Sequence, residues 1–115
     1  MVDKIEAYRQ SFQARLQRDF EKREMLRQKA YQAVKKRVPE IVEKFPQVKS
    51  AYLFGSILKP GSFRPDSDID IAIIGGIPED YFALWHKLTE ALPEWNIDLR
   101  DLPTNTRFTQ RVIER

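Results

Sequence analysis

A chain of 115 residues with no cysteine, one histidine and a net charge of +3 has room for one domain and a single core. Disulfide frameworks and thiolate metal sites are excluded, an HExxH zinc site is absent, and a Ser-His-Asp triad could draw only on His86. No apolar run reaches the ~18 residues a membrane helix needs, and charges interrupt the first residues before a secretory core could form, so a soluble cytoplasmic protein without a membrane partner is expected.

The charge is unevenly spread. Residues 1–40 carry 11 Lys/Arg against 6 Asp/Glu, whereas residues 41–115 carry 9 against 11. The basic surplus coincides with a stretch, from Asp3 to about Arg37, that has no proline or glycine and is rich in good helix formers. It reads as one long helix or two with a soft joint. Ile5, Tyr8, Phe12, Leu16 and Phe20 form one apolar stripe and Ala30, Val34, Val38 and Ile41 another. The pattern breaks and shifts phase between them at Glu21-Lys22-Arg23-Glu24. About 35 helical residues span on the order of 50 Å, more than the diameter of a domain this size, so part of the helix should project and offer its stripe to a partner. The basic residues invite a nucleic-acid reading. Acids interleaved at Asp19, Glu21 and Glu24 blunt the field such binding needs, so direct nucleic-acid binding is not expected.

Pro39 is expected to open a new segment, a short core helix from Glu40 to Phe45 ended by Pro46. Residues 49–54 read as a central strand ended by Gly55-Ser56. Ile57 to Ser67, with Pro60, Gly61 and Pro65, reads as a short helical turn and a loop. Asp68 to Ile74 is a second, buried strand closed by Gly75-Gly76. Pro78 to Leu92 has amphipathic helical spacing with Tyr81, Leu84, Trp85, Leu88 and Leu92 on one side, and His86 beside that stripe reads as a surface or edge histidine. Residues 96–100 alternate as a third strand, with Asp101-Leu102 as its possible extension, and Thr104 to Arg115 reads as a terminal helix or tail. The expected class is α/β or α+β: a small mixed three-stranded sheet flanked by helices, with a long N-terminal helix.

The chemistry gathers at the strand ends. Residues two apart in a strand share a face, so Asp68 and Asp70 project together while Ile69, Ile71 and Ile73 face the core. Paired carboxylates repel unless a cation lies between them. Magnesium suits hard oxygen donors completed by phosphates and water. Gly55 lets the main chain approach a phosphate, and the amide and hydroxyl of Ser56 can donate to it. Asp98, alternating with buried Ile97 and Leu99, is the candidate third carboxylate for positioning a nucleophile; Asp101 lies on the opposite face and is the weaker choice.

The ordered set Leu53-Phe54-Gly55-Ser56, then Arg64-Pro65-Asp66-Ser67-Asp68-Ile69-Asp70-Ile71-Ala72, with a later aspartate-bearing strand, resembles the minimal nucleotidyltransferases of the polymerase-β-like superfamily. The resemblance covers roughly residues 39–102. It implies a nucleotidyltransferase fold in which Asp68 and Asp70 bind magnesium, Asp98 assists catalysis and joins the metal set, and Gly55 and Ser56 hold nucleotide phosphates. Lys59, Arg64 and Ser67 are secondary candidates for the nucleotide. Eleven residues separate Ser56 from Asp68, so the loop carries an extra position near Lys59-Pro60-Gly61. Two magnesium ions and ATP as substrate are expected. Many stand-alone proteins of this kind resemble the antitoxin of a HEPN/MNT pair, which inactivates its partner ribonuclease by moving AMP from ATP onto a tyrosine. The resemblance therefore implies a HEPN-type toxin as partner in a hetero-oligomer. On this division, residues 1–38 would bind the partner and residues 39–115 form the transferase. A module that neutralises its partner by occlusion alone is the alternative.

Overall fold

The computed structural model describes residues 3–103 and 110–112. Helix α1 runs Lys4–Val42, strand β1 Val48–Phe54, β2 Ile69–Gly75, helix α2 Pro78–Ala91, β3 Ile97–Asp101 and β4 Gln110–Arg111, with a 3₁₀ turn at Gly55–Leu58. Asp3 caps α1 by accepting from the Ile5 amide at 3.2 Å.

The sheet order is β3-β2-β1-β4. Strands β1 and β2 pair antiparallel, β2 and β3 parallel, and β4 lies antiparallel against the outer edge of β1. The mixed three-stranded sheet expected from the sequence is therefore present and gains a two-residue fourth strand. A parallel neighbour requires a crossover, which α2 supplies. Helices α1 and α2 share one core with the sheet: Ala30, Val34 and Val38 of α1 and Leu84 and Leu88 of α2 are buried with Leu53, Ile69, Ile71, Ile73 and Leu99. The period-2 pleat then leaves Phe54, Asp70 and Asp98, paired in register across three strands, on the other face. Edge strand β3 is not left bare, because Tyr81 Oη donates to the Leu99 carbonyl and Trp85 Nε1 to that of Ile97 at 3.1 Å.

Three expectations need correction. Pro39 does not open a new segment; α1 continues through it to Val42. The missing amide deprives only the Lys35 carbonyl, whose residue is exposed and can be served by water, and the proline lies in the last turns, where few bonds remain to lose. The two apolar stripes of α1 are not out of phase either. Phe20, Arg23, Arg27, Ala30 and Val34 follow at steps of three and four, so one face is continuous and its middle is polar. Finally, residues 110–111 form a strand where a terminal helix or tail was expected, and Val112 behind them is buried. The rest of that expected helix, residues 104–109 and 113–115, lies outside the described residues.

Extents of 68 × 29 × 21 Å reflect the projection of α1. Residues 3–22 are exposed throughout. Within them Ile5, Tyr8, Phe12, Leu16 and Phe20 retain between 41% and 78% of their accessible surface. No helix among the described residues is long and apolar enough to cross a membrane.

Candidate active site

At the end of β1 the chain turns at Gly55, whose φ of +79° is left-handed and favours glycine. A second constraint is spatial: a Cβ on Gly55 would stand 2.1 Å from Asp70 Oδ2. The Gly-Ser turn and the first half of β2 are therefore in direct contact, with the Asp70 carboxylate against the bare Cα. Ser56 follows in the 3₁₀ turn, half-buried, and its carbonyl accepts from the Lys59 amide at 3.0 Å.

Asp70 pairs with Asp98 across the parallel β2–β3 ladder, which sets the two side chains next to each other on one face. Burial, foremost, pushes the Asp70 carboxyl up to about 6; the charge and hydrogen bond of Asp98 and the charge of Asp68 push the same way, and Arg100 opposes them. Asp68 sits one residue before β2, exposed at the loop end. Strand pairing begins at Ile69 rather than at Asp68 as expected from the sequence. Asp70 and Asp98 thus stand side by side while Asp68 adds its charge from the rim. Among the described residues, no three carboxylate, histidine or cysteine side chains close round a common point. The donors are all hard oxygens, and the repulsion that raises Asp70 is what a divalent cation removes, so the set fits magnesium chemically.

The secondary candidates are spread out. Ser67 is engaged locally, its Oγ accepting from the Arg64 amide at 2.8 Å. Lys59 is exposed beyond the 3₁₀ turn. Arg64, also exposed, lines a groove of 450 Å³ with Lys22, Arg23 and Leu26 of α1. Asp101 falls on the opposite parity of β3 and lines a recess with Tyr81 and Phe82 of α2. His86 pairs with Glu90 on the surface at 2.8 Å.

One neighbour was not singled out from sequence. Arg100 lies 3.3 Å from Asp98 Oδ2 and 5.4 Å from the Phe54 ring centroid, over its face. The alternation that selected Asp98 also places Arg100 on the same face, and that signal was available. The site therefore holds three carboxylates, one guanidinium and a glycine turn from β1, β2 and β3.

The sequence pattern of the family described as Polymerase beta, Nucleotidyltransferase matches residues 36–115. Among solved structures, the chain is similar to a mutant form of the toxin–antitoxin MntA-HpeT, with a TM-score of 0.50 and 28% identity over 59% of this chain and 56% of that one. The chain thus spans little more than half the length of that protein. It is also similar to a candidate nucleotidyltransferase from Sulfolobus solfataricus, at a TM-score of 0.46 and 28% identity, covering 68% of this chain and 70% of that one. No curated protein matches the sequence. With the family pattern spanning the sheet, the Gly-Ser turn and all three aspartates, the chain belongs to the polymerase β nucleotidyltransferase family, among its minimal members.

Proposed function

We propose that the chain moves AMP from ATP to a hydroxyl, a tyrosine foremost, of a HEPN-type toxin, the hydroxyl oxygen bonding to the α-phosphorus as pyrophosphate leaves, and so acts as that toxin's antitoxin in a hetero-oligomer. One observation carries the chemistry: three segments distant in sequence converge so tightly that Gly55 abuts the Asp70 carboxylate and Asp70 stands in register beside Asp98. Asp68, Asp70 and Asp98 are the residues that would hold magnesium, as one or two ions. When bound, magnesium offsets the carboxylate repulsion and stabilises charge on the attacking and leaving oxygens. Gly55 opens the main chain to a phosphate, and the Ser56 amide and hydroxyl supply donors there. The Asp70–Asp98 pair, adjacent across the ladder, would orient the incoming hydroxyl and take its proton. Arg100 stands beside Asp98 and offers a cation to the phosphates.

The exposed stripe of α1 and the likeness to a toxin–antitoxin structure support a protein acceptor. On this proposal the exposed residues 3–22 of the 1–38 segment bind the partner, while Ala30, Val34 and Val38 of that segment are core of the transferase unit formed with residues 39–115. Nucleic acid is a poorer partner, because Arg27 is paired with Glu24, Lys29 with Glu94, and Arg23 is bonded to a carbonyl. Mass spectrometry of the candidate toxin after incubation with the chain and Mg-ATP tests the proposal. An increase of one or more AMP units is expected, reduced about a hundredfold or more in Asp70→Asn. Undiminished transfer by a folded Asp70→Asn protein rules the site out. The same exposed stripe favours occlusion as the second reading; neutralisation without a mass shift, untouched by Asp70→Asn, would select it.

A further inference from the structure

The eleven-residue loop and the long helix meet at Gly61. The Gly61 amide donates to Glu24 Oε2 at 2.8 Å, and Arg23 Nε donates to the Gly61 carbonyl. The Phe20 ring lies so close that a Cβ on Gly61 would stand 2.2 Å from it, and the glycine's φ is +75°. Four residues back along the loop, the Ile57 carbonyl accepts from Arg27 Nη1 at 3.0 Å. Arg27 and Glu24 are themselves joined, Nε to Oε2 at 2.9 Å. All the loop groups held here are backbone groups, beginning two residues from Gly55.

We infer that Glu24 and Arg27 are positioning residues for nucleotide binding, holding the Gly55-Ser56 turn through the Ile57 carbonyl and the Gly61 amide. The inference rests on the reading of Gly55-Ser56 as the phosphate-binding turn. Two facts separate positioning from simple helix anchoring. Helix α1 is already fixed to the sheet by Ala30, Val34, Val38, Ile41 and Val42, which are buried. The clamp, by contrast, reaches only the loop. Gly55 has no slack against Asp70, so a shift of the turn by an ångström changes where its amides point.

The test uses the full chain with magnesium and a fluorescent ATP analogue, trinitrophenyl-ATP, alongside amide hydrogen exchange. Glu24→Ala and Arg27→Met should each weaken analogue binding about tenfold, the loss of a charge-assisted hydrogen bond. Both should speed exchange of the Lys59 and Gly61 amides while leaving those of β2 unchanged. Glu24→Gln, which keeps an acceptor for Gly61, should recover most of the affinity. Glu94→Ala, which frees Lys29 of α1 away from the loop, should leave affinity unaltered. Unchanged exchange in the loop, or a loosened loop with undiminished affinity, overturns the inference, as does an equal loss in Glu94→Ala. Should Glu24→Ala fail to fold, Arg27→Lys and Glu24→Gln decide the matter by the same two readouts. If Asp70→Asn transfers AMP normally, the site assignment fails, whereas the exchange result still reports on the clamp.

Discussion

The two halves of α1 are alike in sequence and opposite in circumstance. Both carry apolar residues at steps of three and four on the same face, and both are rich in helix formers. Val34 and Val38 are fully buried, whereas Tyr8 and Phe12 keep 78% and 52% of their surface. Periodicity thus announces that a face will be covered. What covers it is settled by the chain that remains, and here the sheet is only wide enough to receive the C-terminal half. Between the halves, Arg23, Glu24 and Arg27 occupy the same face and, besides the Glu24–Arg27 pair, meet backbone groups of the loop.

The contrast can be broken most sharply by placing a charge on each half. Val34→Asp buries an unpaired carboxylate and should cost upwards of about 4 kcal/mol, unfolding the domain or lowering its urea midpoint severely. Phe12→Asp should leave the midpoint within about 0.5 kcal/mol of the parent, since water already surrounds the site. Equal sensitivity of the two would mean that the N-terminal half is covered in solution.

A second test opposes Glu24 to Asp70. Glu24 is lowered from 4.5 to about 2, chiefly by its hydrogen bond to Arg27, despite partial burial acting against it. Its stabilisation is therefore full above pH 4.5 and lost as pH falls towards 2. Asp70 is raised from 3.8 to about 6, so the folded state holds that proton more tightly than the unfolded one. Its contribution turns increasingly unfavourable as pH rises from about 4 to 6 and is constant beyond. Without magnesium, these two groups together should give greatest stability near pH 4. Denaturant melts across pH should lose the descending limb in Asp70→Asn and the ascending limb in Glu24→Gln. A consequence is that Asp70→Asn, which should lose transfer on the proposed function, should melt higher than the parent at pH 7. The smallest effect is reserved for the free half: the exposed Glu6–Arg9 pair, 3.9 Å apart, should contribute less than about 0.5 kcal/mol, so Arg9→Ala should leave the melt nearly unmoved.

Much of the site was legible because strand parity does geometric work. Asp70 and Asp98 could be placed on one face, and Asp101 on the other, from alternation alone, and the register Asp70 to Asp98 agrees. Gly55-Ser56 at a strand end and the buried β2 were readable for the same reason. What escaped was whatever depends on contacts between distant segments. The Glu24 and Arg27 side chains looked like a solvated helix face because their partners are main-chain groups some thirty residues away, which leave no mark in side-chain chemistry. Pro39 looked like a break because the cost of a lost amide depends on whether water can reach the carbonyl it abandons. Strand β4 was missed because two residues give no measurable period. Arg100 alone was visible and passed over, although the argument for Asp98 applied to it equally.

The Phe20–Gly61 contact has a mechanical meaning. It lies where α1 leaves the domain, so the residues from Lys4 to Phe20 form a cantilever about 24 Å long. A tilt of about 10° at that fulcrum sweeps the tip by roughly 4 Å while hardly moving the loop beneath it. A partner gripping the far end could therefore be drawn in over a wide arc without disturbing the nucleotide. One that settles against Phe20 itself presses directly on the glycine that the loop uses to hold its place.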